Sequence, residues 1–270
     1  MTTSGPVTAA SHEPILLLGA SGLVGTDVLE LAAAAARPVL AVSRAIGAPE
    51  ASGVRWFQGA GFDLYAGDGP WPEAATLVSS GPLDALAAWL ERVRPPTLRR
   101  LVALSSTSVE TKIASTDPAE RALVAQLARA ESRVVEYCLA HDVRWTLLRP
   151  TLIWGRGRDR NVSRLAAMAR RVGFIALPSF ASGLRQPIRA RDVAASLLAA
   201  TGSAASENRR LDLPGGEILA YDEMARRIAV AVSPNGRIVR LPGVLVSACT
   251  NARSRPAATT PHTSCTRMGN

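Results

Sequence analysis

Three glycines near the start of the chain, Gly19, Gly22 and Gly25, constrain its fold more than any other feature. They are spaced G-x-x-G-x-x-G, directly after the apolar run Ile15–Leu18 and before an alanine-rich stretch that predicts a helix from Thr26 to about Ala36. Glycines in such a strand-to-helix loop let the backbone turn tightly and leave the first N–H groups of the helix free for an anion. The alternative is a glycine-rich turn that binds nothing. The motif predicts a pyrophosphate site formed by Gly19, Ser21, Gly22, Leu23, Val24 and Gly25.

Short apolar runs of β type alternate with longer helical segments along the chain, which predicts an α/β fold with a doubly wound parallel sheet of Rossmann type. The last strand of this series is expected to stop at Arg149 and Pro150. The helix before it is expected to start after the N-cap Asp117 and to end near Leu139. The predicted parts are a disordered tail at 1–13, a dinucleotide-binding domain at 14–158, a smaller substrate lobe at 159–249 that interleaves with it, and a disordered tail at 250–270.

The composition argues against several classes of protein. The net charge is +9, but the basic residues are almost all scattered arginines, with Lys112 the single lysine, so no nucleic-acid partner is expected. No apolar run is long enough for a membrane span, and the first residues do not resemble a secretory signal, so a cytoplasmic protein is expected. The three cysteines and three histidines are widely spaced, so neither a disulfide framework nor a metal site is expected.

The residues after the second predicted strand bear on the choice of cofactor. Ser43 and Arg44 stand where a site selective for NAD would carry an acidic side chain for the ribose hydroxyls. A guanidinium can instead pair with the 2′-phosphate of NADP. We therefore expect NADP(H) as the preferred cofactor, with NAD(H) as the alternative if Arg44 is only an exposed charge.

Several motifs occur in an order that resembles a known family. They are Gly19 to Gly25, the segment L-S-S-T-S-V at 104–109, W-T-L-L-R-P at 145–150, W-G-R-G-R-D-R-N-V at 154–162, R-Q-P-I at 185–188 and D-V-A at 192–194. From about residue 14 to 240 the chain is similar to the extended and atypical short-chain dehydrogenases, specifically the NAD-dependent epimerase/dehydratase group that acts on nucleotide-sugars. The resemblance implies an NAD(P)-dependent oxidoreductase or epimerase with a small-molecule substrate, a nucleotide-sugar being the implied class.

The resemblance also implies roles for individual residues. Asn161 and Arg185 correspond to groups that hold the diphosphate of the substrate. In the alternative, which has equal weight, Asn161 caps the next helix and Arg185 is exposed to solvent. The helix after Asp117 corresponds to one that relatives use to form a homodimer. The implied cofactor residues beyond the glycine loop are Ser43, Arg44, Ser79, Ser80, Ser105, Ser106 and Pro150.

The sequence departs from the family at its catalytic pair. A Tyr-x-x-x-Lys motif is expected on the helix that follows the fifth strand, where lysine lowers the pKa of the tyrosine. With Glu131 aligned on the family's following glutamate, Leu123 and Leu127 occupy the two positions. Two interpretations remain. In the first, the chain is an oxidoreductase or epimerase in which Thr107 and Lys112 bind the substrate and transfer the proton. In the second, it is a catalytically silent NADP(H)-binding protein with a regulatory or assembly role.

Overall fold

The chain is described by a computed structural model that covers residues 13–43, 53–58, 71–179 and 181–242. The strands in these ranges are β1 (Ile15–Leu18), β2 (Val39–Ser43), β3 (Val54–Gln58), β4 (Thr76–Ser79), β5 (Arg100–Leu104), β6 (Arg144–Pro150), β7 (Leu152–Trp154), β8 (Phe174–Pro178), β9 (Leu184–Arg185), β10 (Pro187–Arg189), β11 (Arg209–Leu213), β12 (Leu219–Ala220) and β13 (Arg237–Leu241). The helices are α1 (Leu23–Ala34), α2 (Leu83–Val93), α3 (Ser108–Thr111), α4 (Pro118–Ala140), α5 (Val162–Val172), α6 (Ala190–Thr201) and α7 (Tyr221–Val232).

Seven of the described strands form one sheet in the order β11-β6-β5-β4-β1-β2-β3. Each neighbouring pair in this sheet runs parallel. Parallel strands require crossover connections, and α1, α2, α4 and α6 lie in four of them. The reversal of strand order beside β1 is the topological switch point at which doubly wound folds bind ligands. The predicted fold class is confirmed.

The sheet is buried on both faces, as the continuous apolar sequence of its central strands requires. Leu16 and Leu18 of β1 pack with residues of α2 and α4 on one face. Ile15 and Leu17 pack with residues of α1 and α6 on the other. This alternation follows from the two-residue period of a strand. Cys138 is fully buried in the first of these clusters.

The described chain divides into two compact units. The first comprises residues up to Arg164 together with Leu184–Leu219, and it contains the seven-stranded sheet. The second comprises Leu165–Gly183 and the residues from Ala220 onward. In the second unit β8 and β13 pair in parallel, and apolar residues of α5 and α7 pack against them. Apart from Glu13, the predicted tails at 1–13 and 250–270 lie outside the described residues.

Some predicted boundaries were wrong. The sixth strand does not stop before Arg149 but continues through Pro150, because β11 pairs with it over its whole second half and the Arg149 charge is neutralised inside the protein. Helix α4 starts as predicted: the Ala119 N–H donates to Asp117 Oδ1 at 2.9 Å. Helix α1 starts at Leu23, three residues before the expected Thr26.

Candidate functional site

The candidate site lies at the carboxyl edge of the large sheet, where the loops after four adjacent strands meet. In parallel sheets this edge gathers the loops that carry function, because every strand ends there. Most of the residues predicted to bind cofactor or substrate are on these loops. Gly19 follows β1, Ser79 and Ser80 end β4, Ser105 and Ser106 follow β5, and Pro150 ends β6.

The glycine loop has the geometry that its sequence predicts. Gly19 has a φ of 80°, a left-handed conformation that favours glycine. The Gly22 N–H donates to the Gly19 carbonyl at 2.9 Å and closes the turn. A Cβ on Gly25 would stand 2.2 Å from the Gly19 carbonyl oxygen, so no side chain fits there. The Gly19 and Gly25 positions therefore favour glycine for two different reasons, a left-handed backbone and a close approach of the backbone.

The N-terminus of α1 is open to an anion. Gly22 at the N-cap has no side chain to bond the helix, and the first turn carries no acidic residue. The first helical hydrogen bond is donated by the Thr26 N–H to the Gly22 carbonyl at 3.0 Å, so the N–H groups of Leu23, Val24 and Gly25 precede it. Free N–H groups and the positive end of the helix dipole are the chemistry that a phosphate needs.

The serines at the end of β4 support this loop. The Ser80 hydroxyl lies 3.2 Å from the Leu18 carbonyl oxygen and 3.1 Å from that of Gly19. The Ser80 N–H also donates to Leu18 at 3.0 Å. Ser79 is buried, as is Ser43 at the end of β2. Arg44, the residue on which the NADP preference depends, lies outside the described residues.

The segment after β5 is tied to the end of β6. The Ser105 N–H donates to the Leu148 carbonyl at 2.7 Å, and the Thr107 N–H donates to the Pro150 carbonyl at 3.3 Å. The Thr107 hydroxyl also lies 3.4 Å from that carbonyl oxygen. Ser106 accepts a hydrogen bond from the Ser108 N–H at 3.1 Å and so starts the short helix α3. These bonds hold the predicted Ser-Ser-Thr segment against the end of β6.

A buried ion-pair network lies directly behind this segment, and sequence reasoning did not predict it. Glu131 is 2% exposed and accepts hydrogen bonds from Arg149 Nε at 2.8 Å, Arg149 Nη2 at 2.7 Å, Arg210 Nε at 3.0 Å and the Ser105 hydroxyl at 2.5 Å. Arg149 also pairs with Glu110. Burial alone would raise the pKa of Glu131, but the hydrogen bonds from Arg149 and Ser105 hold that pKa below its ordinary value. The network is thus ionised and fixes the Ser105 side chain.

The family's catalytic positions lie on one face of α4. Glu120, Leu123, Leu127 and Glu131 are separated by three, four and four residues, which places them on the same side of the helix. Leu123 is 54% exposed, and Leu127 is half-buried. Lys112, which follows α3, pairs with Glu120 on this face. The structure therefore pairs the single lysine of the chain with a carboxylate that stands one helical turn before Leu123.

The Lys112 pair is part of a small exposed cluster. The Ser115 hydroxyl donates to Glu120 Oε2 at 2.6 Å. The hydrogen bonds from Lys112 and Ser115, together with the charge of Arg185, hold the pKa of Glu120 below its ordinary value. Arg185 Nη1 also donates to the Leu184 carbonyl at 2.8 Å. Arg185 is half-buried, and its charge acts on Glu120.

Asp159, rather than Asn161, caps α5. Its Oδ1 accepts hydrogen bonds from the N–H groups of Asn161 and Ser163, both at 3.0 Å. The alternative in which the Asn161 side chain caps the helix is therefore wrong. Because the cap is supplied by Asp159, the Asn161 amide remains available for the substrate role that the resemblance implies.

The described ranges contain neither a metal-binding cluster nor a membrane-spanning helix. No group of three or more His, Cys, Asp and Glu side chains among these residues could hold a metal ion. No helix in the same ranges is long and apolar enough to cross a membrane.

Comparisons with known proteins connect this geometry to a fold family. No family model matches the chain, and no curated protein matches its sequence. Among solved structures, the epimerase Mth375 from Methanothermobacter thermautotrophicus is similar with a TM-score of 0.69 at 14% identity, covering 87% of this chain and 81% of the other. A dTDP-glucose 4,6-dehydratase from Bacillus anthracis in complex with NAD gives 0.65 at 12% identity, with 85% of each chain covered. The enzyme WbmF from Bordetella bronchiseptica in complex with NAD+ gives 0.66 at 17% identity, with 86% and 82% covered.

The chain has the fold of these epimerases and dehydratases. The fold that the resemblance implied is confirmed. At such low identity the likeness extends to the fold alone, so the roles of individual residues depend on the geometry of this chain. That geometry brings together the glycine loop, Ser80, Ser105 to Thr107 and Pro150 at one edge of the sheet, while Lys112 and Arg185 lie near Glu120 on α4.

Proposed function

We propose that the chain binds a nicotinamide dinucleotide along the carboxyl edge of β1, β4 and β5. The observation that carries this proposal is the glycine loop, in which a Cβ on Gly25 would collide with the Gly19 carbonyl and the first turn of α1 has neither a cap nor an acid. The loop fits a diphosphate, because it offers N–H groups without side chains in front of them. The dinucleotide's nicotinamide end would then extend toward Ser105, Ser106 and Pro150.

NADP(H) is the proposed cofactor, with NAD(H) as the alternative. The proposal depends on Arg44, whose guanidinium would pair with a 2′-phosphate. Calorimetric titration of the purified chain with NADPH and NADH tests it, with Arg44→Asp as the variant. We expect the wild type to bind NADPH more tightly and Arg44→Asp to reverse or remove the preference. An unchanged preference in the variant refutes the role of Arg44, and no binding of either dinucleotide refutes the proposed function.

The proposed activity is that of an oxidoreductase or epimerase acting on a small molecule, with a nucleotide-sugar as the substrate class. The bound cofactor would supply hydride transfer. The chain's own contribution is to position the substrate with Thr107, Asn161 and Arg185, and to move a proton with Lys112. Lys112 is a candidate because Glu120 holds its ammonium group on the α4 face that carries Leu123 and Leu127, where the family's Tyr and Lys are missing.

A second candidate function is binding without turnover, and one observation favours it. Among the described residues, the α4 face between Glu120 and Glu131 carries only the apolar side chains of Leu123 and Leu127, so no phenol is available to exchange a proton there. In addition, Lys112 is paired with a carboxylate and is half exposed, which is typical of a structural ion pair. Under this interpretation the chain would sense or store NADP(H) as a regulator or assembly subunit.

Turnover of a panel of nucleotide-sugars and simple carbonyls with bound NADPH distinguishes the active enzyme from the protein that binds without turnover. Lys112→Arg is the informative variant. An arginine keeps the positive charge and a hydrogen-bond donor for Glu120, but a guanidinium holds its proton too tightly to transfer it. We expect Lys112→Arg and Thr107→Ala to abolish turnover while the affinity for NADPH is unchanged. Arg129→Ala removes an exposed cation of α4 as the matched control and should leave turnover intact. Absence of any hydride transfer across the panel favours the silent protein.

A further inference from the structure

The loop that follows β7 crosses the carboxyl edge of the sheet and reaches α1. β6 stands three places from β1 in the sheet order, yet residues 155–159, soon after it in the chain, contact the helix that follows β1. The turn is made by positive φ angles of 53° at Arg156 and 68° at Gly157. We name residues 155–159 the arginine strap. Whatever is bound on the edge between β6 and β1 must lie beside it.

The arginine strap is held at both of its ends. Arg156 donates to Asp27 Oδ1 from Nε at 3.0 Å and from Nη2 at 2.7 Å, and Nη2 lies 2.6 Å from a carboxylate oxygen of Glu30. Hydrogen bonds to these two carboxylates raise the pKa of Arg156 above its ordinary value. At the other end Asp159 accepts from the Gly155 N–H at 3.2 Å and caps α5. The strap therefore has a defined conformation in which its second arginine is presented.

That second arginine, Arg158, is placed on the glycine loop. Its Nη2 donates to the Ser21 carbonyl at 2.9 Å, one residue before Gly22. Among the described residues, no carboxylate pairs with Arg158, whereas Arg156 pairs with two. A guanidinium has five N–H donors, and only one of the Arg158 nitrogens takes part in this bond.

The charges around the start of α1 explain why it matters that Arg156 has carboxylate partners and Arg158 has none among the described residues. Asp27 and Glu30 lie one to two turns into the helix and would repel an anion at its N-terminus. Arg156 pairs with both, and Arg191 Nη1 lies 3.3 Å from Glu30, so two guanidinium charges balance the two carboxylates. The charge of Arg158 is then surplus at the position where the glycine loop offers its N–H groups. Positive charge without a partner beside free N–H groups is the arrangement that binds phosphate.

We infer that Arg158 binds the diphosphate of the dinucleotide at the glycine loop. This inference rests on the proposed function and deepens it. The Ser21 bond fixes one edge of the guanidinium, and the remaining donors reach the bound diphosphate. Arg158 thereby adds a charge to a cradle otherwise built from backbone groups.

Calorimetric titrations of the full chain test the inference with four probes: NADPH, NADH, ADP-ribose and adenosine. The variants are Arg158→Ala, Arg158→Gln and, as the matched control, Arg160→Ala, which removes an exposed arginine next to the strap. Loss of one charge-assisted hydrogen bond to an accessible phosphate should weaken binding roughly tenfold. We expect this loss for the three diphosphates in both Arg158 variants, with adenosine and the Arg160 control unchanged.

The Arg158→Gln variant distinguishes an arginine charge that binds the ligand from a hydrogen bond that only holds the loop in place. The amide of Gln can still donate to the Ser21 carbonyl, so a merely structural role predicts near-normal binding by Arg158→Gln, which would overturn the inference. A loss confined to NADPH would overturn the diphosphate assignment and place Arg158 on the 2′-phosphate. Equal losses in Arg160→Ala would also overturn it, since they would show a general field effect. Failure of the wild type to bind any dinucleotide would refute the proposed function itself.

Discussion

Replacing Glu131 by Gln tests the role assigned to the buried network. The substitution keeps the size of the side chain and removes its charge. In the native protein Glu131 balances Arg149, whose side chain is 9% exposed, and Arg210, whose side chain is 37% exposed. After the change, the remaining carboxylate partner of Arg149 is Glu110, whose side chain is 59% exposed, so solvent screens this direct ion pair.

The expected loss in the free energy of unfolding follows from these charges. Removing one partner of a buried ion pair costs about 3–5 kcal/mol, because the other charge stays buried without compensation. The lower end applies here, since Gln still accepts a hydrogen bond and Glu110 still neutralises part of the Arg149 charge. We expect the free energy of unfolding to fall by about 3 kcal/mol. For a protein of this size that corresponds to a melting temperature lower by roughly 6–12 °C.

Urea denaturation followed by tryptophan fluorescence measures this cost, and Glu91→Gln is the matched control. Glu91 accepts two hydrogen bonds from Arg133, at 2.8 and 2.6 Å, but its side chain is 50% exposed. An exposed pair of this kind contributes at most about 1 kcal/mol. Equal stability of Glu131→Gln and Glu91→Gln would refute the argument that burial of the network sets its cost.

The network also predicts a pH dependence. The pKa of Glu131 is lower in the folded chain than in the unfolded one, so its contribution is fully present above the unfolded pKa, which is about 4.3. The contribution is lost as the pH falls through the folded value. The difference in unfolding free energy between wild type and Glu131→Gln should therefore be constant near neutral pH and shrink below about pH 4.3. A difference that grows on acidification would contradict the sign.

Two further predictions concern packing. A Cβ on Gly215 would stand 2.1 Å from the Pro187 carbonyl oxygen, while a Cβ on Gly216 would meet nothing within 4 Å, so Gly215→Ala should lower the melting temperature by several degrees and Gly216→Ala should not. Equal melting temperatures for the two variants in a thermal scan would contradict this geometry. Burial raises the pKa of the Cys138 thiol to about 12, so it should resist alkylation by iodoacetamide at pH 8 until the chain unfolds, as peptide mass spectrometry would show. Rapid labelling in the native state would contradict its burial.

The parts of the structure that depend on neighbouring residues could be predicted from the sequence. The glycine loop, the strand Ile15–Leu18 before it and the N-cap Asp117 are each set within a few residues, by glycine conformation, apolar burial and side-chain capping. The helix start at Leu23 was missed because Thr26, the expected start, lies one turn after the first N–H groups that the loop leaves free.

The parts that depend on distant partners could not be predicted. Arg149 was expected to end β6 because an isolated charge does not enter a core, and only its pairing with Glu131, eighteen residues away, makes burial favourable. The bond from Arg158 to the Ser21 carbonyl joins residues 137 positions apart. Lys112 carried a signal as the single lysine of the chain, but its pairing with Glu120, eight residues later, was not predicted.

Hydrogen exchange at the start of α1 tests the central claim most directly. The amides of Leu23, Val24 and Gly25 precede the first helical hydrogen bond, so in the free protein they should exchange quickly. Saturation with NADPH or NADH should slow these amides strongly, because a diphosphate would become their acceptor. Amides at the amino edge of the sheet, for example that of Arg100, which donates to the Ala75 carbonyl at 2.9 Å, should be unaffected by the cofactor and serve as the internal reference. Dinucleotide binding that leaves the amides of Leu23 to Gly25 unprotected would contradict the account.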